Sequence, residues 1–414
     1  MSRDISPPLG YDVERPRVLD ISYGRRYLGP EWQSLKHRCV VCNATNVKLL
    51  RCTECNAVRY CAREHQAQDR REHEWMCKRI RDDRDSLEKE TEIFQLHAGR
   101  FGTTPSTGTY LNSRFELTDD LRVVNTLDSL TEAREHLFEM LRLSRLDGCG
   151  NDEAVPGLLL QLSEDQKCYD FIKFYARLSA EPAYDPEDLT KPFLNIHDAD
   201  PYEPIHHLLY PPLRLTHLSA LLLLKIRLLH DMNLVMMANI LKHRLPAEVV
   251  DRIKTVGFLS SISFAHKDCA WKDLVNKFAT VANAIKRLLV LIHKHNAYFL
   301  PTQLLYWNHI EKRALQYEKG SIEEMQFAHQ YSYVSWQASG RDVIIVLCKW
   351  LGVSPDDITD SHDPRVIAVC EDQLRKQINQ RVNELSQMPK DRCIYHVIRS
   401  GLCLQHKKRH AHSN

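Results

Sequence analysis

"CTECNAVRYCAREHQAQDRREHEWMC", residues 52–77, places four cysteines and two histidines in a rhythm that is neither helical nor strand-like. Reading outward, Cys39-x2-Cys42 lies nine residues upstream of Cys52-x2-Cys55, and Cys61-x3-His65 and His73-x3-Cys77 follow. Each close pair is a chelating bite. An x2 spacing suits a knuckle turn, and x3 puts side chains i and i+4 on one face of a helix. Structural zinc takes four thiolate or imidazole ligands in a closed tetrahedron, so eight ligands imply two Zn2+ ions. A stretch this short buries too little apolar surface to fold alone, and each structural zinc is expected to supply on the order of 10 kcal/mol of its folding free energy. With no open coordination position and no general base beside the ligands, hydrolytic zinc chemistry is not expected.

The four pairs in order, the Tyr60-Cys61 step and Gln66 after the sixth ligand resemble the MYND-type zinc finger. The resemblance implies cross-braced pairing: Cys39, Cys42, Cys61 and His65 on one zinc, and Cys52, Cys55, His73 and Cys77 on the other. Two positions depart from the family pattern. The sixth ligand is most often cysteine and here is His65, an equally good zinc ligand. Family members that bind proline-rich peptides use a glutamine and, four residues on, a tryptophan; here Gln66 is followed by Arg70, and Trp75 would project differently. Peptide binding by the usual groove is therefore not expected, although Pro-Pro-Leu occurs at Pro7-Pro8-Leu9 and Pro211-Pro212-Leu213.

The chain has 414 residues, enough for a large core, and its 14 glycines are roughly half the usual frequency, which favours helix. The formal net charge of +2 implies no wholesale attraction to nucleic acid or anionic membrane. Basic residues exceed acidic ones over 36–81 (Lys36, Arg38, Lys48, Arg51, Arg59, Arg63, Arg70, Arg71, Lys78, Arg79 and Arg81), and a solvated face is the expected reading rather than a nucleic-acid surface. The start carries no apolar run of signal-peptide length, and the greasiest stretch, 218–241, is broken by Lys225, Arg227, His230 and Asp231, as in a buried helix and not a membrane span. Six of the 13 cysteines cluster in 39–77; without a secretory signal this suggests a reducing compartment, cytoplasm and/or nucleus.

The expected organisation is mostly α: an N-terminal extension (1–38), the finger (39–77), a linker helix and loop (78–126) and a large all-helical domain (127–414), solenoid-like or a bundle. "GRFGTTPSTGTYLNS" (99–113) has the composition of an exposed loop. Ser129-x-x-Glu132 is a capping-box signal, followed by the stripe Leu130, Ala133, Leu137 and Leu141. Phe278, Val281, Ile285, Leu288 and Ile292 form a second stripe, and Trp307, Ile310, Ala314 and Tyr317 a third. Seven prolines between Pro182 and Pro212 mark an irregular connection.

His206-His207 and His293-x-His295 lack ligand partners at chelating spacing and receive no role. Cys393-x2-His396 and Cys403-x2-His406 have the bites of a third zinc site, but Ile394, Val397 and Ile398 continue an apolar stripe that assigns Cys393 to an ordinary helix. A MYND finger also occurs beside SET-type lysine methyltransferase domains. That active site needs a glycine-rich cofactor strand and an Asn-His-Ser-Cys-like segment, whereas here Asn308-His309 continues into Ile310-Glu311 within a helical stripe, and the only Gly-x-Gly is Gly148-Cys149-Gly150. The expectation is thus a non-enzymatic adaptor that binds protein partners through a zinc finger on a helical scaffold. A SET methyltransferase and a nucleic-acid-binding regulator are the alternatives.

Overall fold

A short antiparallel hairpin is the first regular element among the described residues. Strand β1 (Leu50–Arg51) pairs antiparallel with β2 (Arg59–Tyr60), Leu50 opposite Tyr60 and Arg51 opposite Arg59. The computed structural model describes residues 35–90, 101, 105–145, 150–180, 185, 188, 190–209, 213–266, 268–305, 317–354 and 364–388. The Pro7-Pro8-Leu9 segment, Asn308-His309, the first three members of the third stripe and the Cys393–His406 cluster lie outside them.

Helix α1 (Arg63–Lys89) follows the hairpin and buries Asp69, His73, Met76, Cys77, Ile80 and Asp83, a 3–4 spacing that keeps one face inward for most of its length. Helix α2 (Pro105–Val124) occupies much of the stretch expected to be loop. Its Gly, Thr and Ser content is overridden by packing: Thr107, Tyr110 and Leu111 are buried, and proline at the first helical position lacks only an N–H that would be unpaired there anyway. Helix α3 (Leu127–Leu143) starts one turn earlier than its expected cap. Thr126 is the N-cap, accepting from the Ser129 backbone N–H, while the Ser129 hydroxyl accepts from the Thr126 N–H. Ser129 is thus the third residue of the helix and Glu132 is left to pair elsewhere. The stripe Leu130, Ala133, Leu137 and Leu141 is buried as expected.

Helices α4 (Asn151–Gln161) and α5 (Asp165–Ala180) precede the irregular proline-rich segment, and α6 (Leu215–Leu241) contains the greasiest stretch. Then come α7 (Ala247–Val256), α8 (Trp271–His295), α9 (Phe299–Leu305), α10 (Ile322–Ala338), α11 (Arg341–Leu351) and α12 (Pro364–Gln387). The second stripe, Phe278 to Ile292, is buried on α8.

Helix α6 is the axis of the fold, packing against α4, α5, α7, α8, α10 and α11. In a solenoid each unit touches only its sequence neighbours; here α4 lies against the distant α10, so the described helices form a bundle. The α4–α10 approach is close enough to require glycine, because a Cβ on Gly157 would lie 2.1 Å from the Tyr331 carbonyl oxygen. Among the described residues no helix is long and apolar enough to cross a membrane.

The charges that interrupt α6 are buried and partnered. Arg227 donates to Asp165 (2.8 Å), to the Leu160 carbonyl (3.0 Å) and to the Ser339 hydroxyl (2.6 Å). Asp231 accepts from the Leu259 and Ser260 N–H groups and from the Ser263 hydroxyl. The Lys225 ammonium donates to the Pro201 carbonyl and lies over the Tyr169 ring, and burial pulls its pKa down to about 7. Such groups are tolerated in a core only when their hydrogen bonds are satisfied.

Candidate metal centre

The two knuckles are built alike. In each, the residue after the second cysteine is an asparagine in the left-handed region, Asn43 (φ 59°) and Asn56 (φ 54°). Asparagine tolerates this conformation better than other non-glycine residues. Its N–H donates back to the first cysteine's carbonyl, Asn43 to Cys39 at 2.8 Å and Asn56 to Cys52 at 3.0 Å. The turn therefore presents both thiols of each pair to one point. Helix α1 supplies His65, His73 and Cys77, the last two one turn apart, and Cys61 stands just ahead of the helix, one turn before His65.

The eight side chains come together in two groups of four, each with all donor atoms within 4.8 Å of one another: Cys39, Cys42, Cys61 and His65, and Cys52, Cys55, His73 and Cys77. In the first, the Cys61 sulfur is 3.1 Å and the Cys39 sulfur 3.4 Å from His65 Nδ1, and the Cys42 and Cys61 sulfurs are 3.5 Å apart. In the second, Cys52 and Cys77 are 3.8 Å apart and Cys55 is 3.4 Å from His73 Nε2. A tetrahedron with zinc–ligand arms of about 2.0–2.3 Å has edges of roughly 3.3–3.8 Å. The separations of 3.4 to 3.8 Å fit that figure, the Cys61–His65 approach of 3.1 Å falls slightly short of it, and the soft sulfur and imidazole donors fit zinc in kind.

The groups differ in setting. All four donors of the second are buried, whereas in the first only Cys39 is buried, Cys61 and His65 are half-buried and Cys42 is exposed. Within each group the donors compete for protons. Hydrogen bonds from Cys55 and Cys77 hold the Cys52 thiol far below its usual range, and Cys77 is driven up by bonding to Cys52 and Cys55. His73 is disfavoured as a cation by burial, but the Cys52 and Cys55 sulfurs raise it to about 9. Burial raises Cys39 while backbone N–H groups of Cys42 and Cys61 outweigh it and bring the thiol down to about 6; Cys61 is pushed up to about 11 by desolvation and by Cys42 and Cys39. Zinc requires thiolates and neutral imidazole, so binding displaces these protons and is pH-dependent.

Tyr60 braces the second group from behind. Its ring stands edge-on to His73 with centroids 6.4 Å apart, and its hydroxyl donates to Asp69 at 2.8 Å. A second set of residues, which the sequence reading did not single out, seats the finger on the helices. Arg59 grips Asp128 at the start of α3 through Nε (2.5 Å) and Nη2 (2.9 Å), and Arg51 reaches the same carboxylate at 2.6 Å. Arg79 pairs with Asp120 on α2 at 2.5 and 2.8 Å. Arg84 pairs with Glu132 at 2.8 Å and donates to the Cys55 carbonyl at 2.7 Å, and the Thr126 hydroxyl donates to the Ala57 carbonyl. The basic excess read as a solvated face is thus partly an internal interface. The only trace in the sequence was that excess itself.

These features define a cross-braced finger with two zinc sites, closed on both metals, mounted on a helical bundle. Residues 39–77 match the MYND finger family, a zinc-binding module of protein–protein interaction. No curated protein and no solved structure matches the chain.

Proposed function

We propose that the chain is a protein–protein interaction adaptor that works by binding and not by catalysis, in the cytoplasm and/or nucleus. The observation that carries this reading is the way the finger is held. Its hairpin and the buried face of α1 are committed to zinc and to the helices, while Gln66, Ala67, Arg70, Arg71 and Glu74 on α1 remain exposed. Four protein ligands per metal leave no coordination position for water or substrate, which favours a structural use of the zinc.

The surface offered differs from a proline-peptide groove. Arg70 is exposed where an aromatic wall would stand, and at 100° per residue Trp75 lies about 180° around the helix from Gln66. Trp75 instead stacks near the Arg79 guanidinium, 5.8 Å away, on the side facing Asp120. The nucleic-acid reading is weakened because Arg51, Arg59 and Arg79 are engaged internally.

Affinity capture from the native cell with the full chain tests the proposal, run beside the doubly substituted Gln66→Ala, Arg70→Glu chain. Protein partners that are retained by the wild type and lost by the variant support the adaptor. Recovery of nucleic acid with steep salt dependence would replace it with the nucleic-acid reading.

A further inference from the structure

We propose that the two metal sites have unequal roles: the inner site (Cys52, Cys55, His73, Cys77) locks the finger to helices α2 and α3, whereas the outer site (Cys39, Cys42, Cys61, His65) secures only the first knuckle and exchanges its metal without disturbing the scaffold. This goes beyond the adaptor reading and does not depend on any partner.

Three observations converge on it. Cys52, Cys55 and Cys77 belong to the same continuous apolar core as the bundle helices, together with Ala57, Val58, Tyr60, Met76 and Ile80; Cys39, although buried, is not part of it, and its knuckle reaches that core only through the partly buried Val40 and Val41. The loop that the inner ligands shape, residues 52–58, presents two carbonyls to the scaffold: that of Cys55 accepts from Arg84, itself held by Glu132 of α3, and that of Ala57 accepts from Thr126, the cap of α3. One inner ligand, Cys77, lies two residues before Arg79, which fastens α1 to Asp120 of α2. Zinc at the inner site fixes Cys52 and Cys55 against His73 and Cys77, and so fixes both carbonyls and the pitch of α1 relative to α2 and α3.

The outer knuckle is bonded differently. Its backbone bonds stay within the knuckle, Cys39 N–H to Ala44 and Asn43 N–H to Cys39, or reach the hairpin, Val40 N–H to Arg59. Cys42 is exposed, giving a competing chelator direct access to one of the four ligands. Ligand access of this kind speeds metal exchange, and the closed, fully buried inner group lacks it.

The test uses the full zinc-loaded chain. A chelator of increasing strength is titrated in, zinc release is counted by a chromophoric indicator, and amide hydrogen exchange is followed by mass spectrometry over 105–143. We expect the first equivalent to leave with exchange in α2 and α3 unchanged, and the second to leave with a rise there of about tenfold or more. Release of both ions in one step, or loss of the second without effect on α2 and α3, overturns the proposal. Cys42→Ser should hold one zinc per chain with α2–α3 protection intact. Because an inner-ligand variant could simply fail to fold, the link is tested separately with Thr126→Ala combined with Glu132→Gln. That chain should keep both ions, and its α2–α3 exchange should respond less to removal of the second. An undiminished response would show that the two bonds do not carry the coupling.

Discussion

Asp128, at the start of α3, gathers two hairpin arginines and a histidine onto one carboxylate. Its carboxylate takes Arg59 in a two-pronged grip, Arg51 at 2.6 Å and His37 at 3.4 Å, while only about a tenth of the side chain is exposed. Hydrogen bonds to charged groups are worth about 1.5–3 kcal/mol, so Asp128→Asn should destabilise the full chain by that order, leaving the Arg59 charge without its counterion. Denaturant unfolding of wild type, Asp128→Asn, Arg59→Gln and the double variant measures this. Independent additive losses would show that the pair is not coupled. Arg70 makes the opposite kind of prediction. Arg70→Trp restores the aromatic four residues after Gln66, and it should create or strengthen binding of a Pro-Pro-Leu peptide. Calorimetric titration decides: tight binding by the unsubstituted chain that Gln66→Ala abolishes would show that the missing tryptophan does not matter. The ligands were legible because zinc imposes spacing on sequence, x2 for a knuckle and x3 for a helical turn. Asp128 was not, since an ion pair between residues far apart leaves no local pattern.

At the scale of elements, the hairpin and α1 are held to α3 by two carboxylates whose pKa values lie below their ordinary range. Burial raises Asp128, but the Arg59 hydrogen bonds and the Arg59, Arg51 and His37 charges outweigh it; burial likewise raises Glu132, and His136 and Arg84 outweigh it. A carboxylate whose folded pKa is depressed contributes stability above its unfolded pKa, about 3.9 for Asp and 4.3 for Glu, and that stability is lost as pH falls through the lower folded value. The contribution of these two carboxylates should therefore be constant between about pH 5 and 8 and fall away below about pH 4. Unfolding measured from pH 5 to pH 3, with zinc content followed in parallel, should fall less steeply for Asp128→Asn with Glu132→Gln than for wild type; equal slopes would refute the assignment. The α1–α2–α3 junction also marks where element reading failed. Periodicity found α3 and α8 because their apolar faces repeat over several turns. The first turns of α2 read as loop because Gly, Thr and Ser dominate them locally, whereas burial of Tyr110 and Leu111 is decided by α1 and α3. The cap of α3 was displaced for a related reason: Glu132, which would close a box with Ser129, is held by Arg84.

For the whole molecule, the class of fold was legible while its topology was not. Low glycine content and repeated amphipathic stripes imply helices, but whether they stack in order or gather round one helix depends on contacts such as α4 with α10, where Gly157 meets the Tyr331 carbonyl. The continuity of the core from Val58 in the finger to Leu385 in α12 bears directly on metal removal. A 39-residue finger on a flexible tether would unfold on losing zinc and leave the helices intact. Here four arginines, Arg51, Arg59, Arg79 and Arg84, and the Thr126 hydroxyl bind it to α2 and α3, and its own apolar residues complete their core. We expect the purified chain to carry two zinc ions by native mass spectrometry or elemental analysis, because eight donors close two tetrahedra. Complete removal by chelator should lower the thermal midpoint of the helical signal as well as abolish the finger. One zinc or none per chain would defeat the cross-braced assignment, three would point to the Cys393–His406 cluster, and a helical midpoint indifferent to both ions would mean that the finger is seated on the bundle without stabilising it.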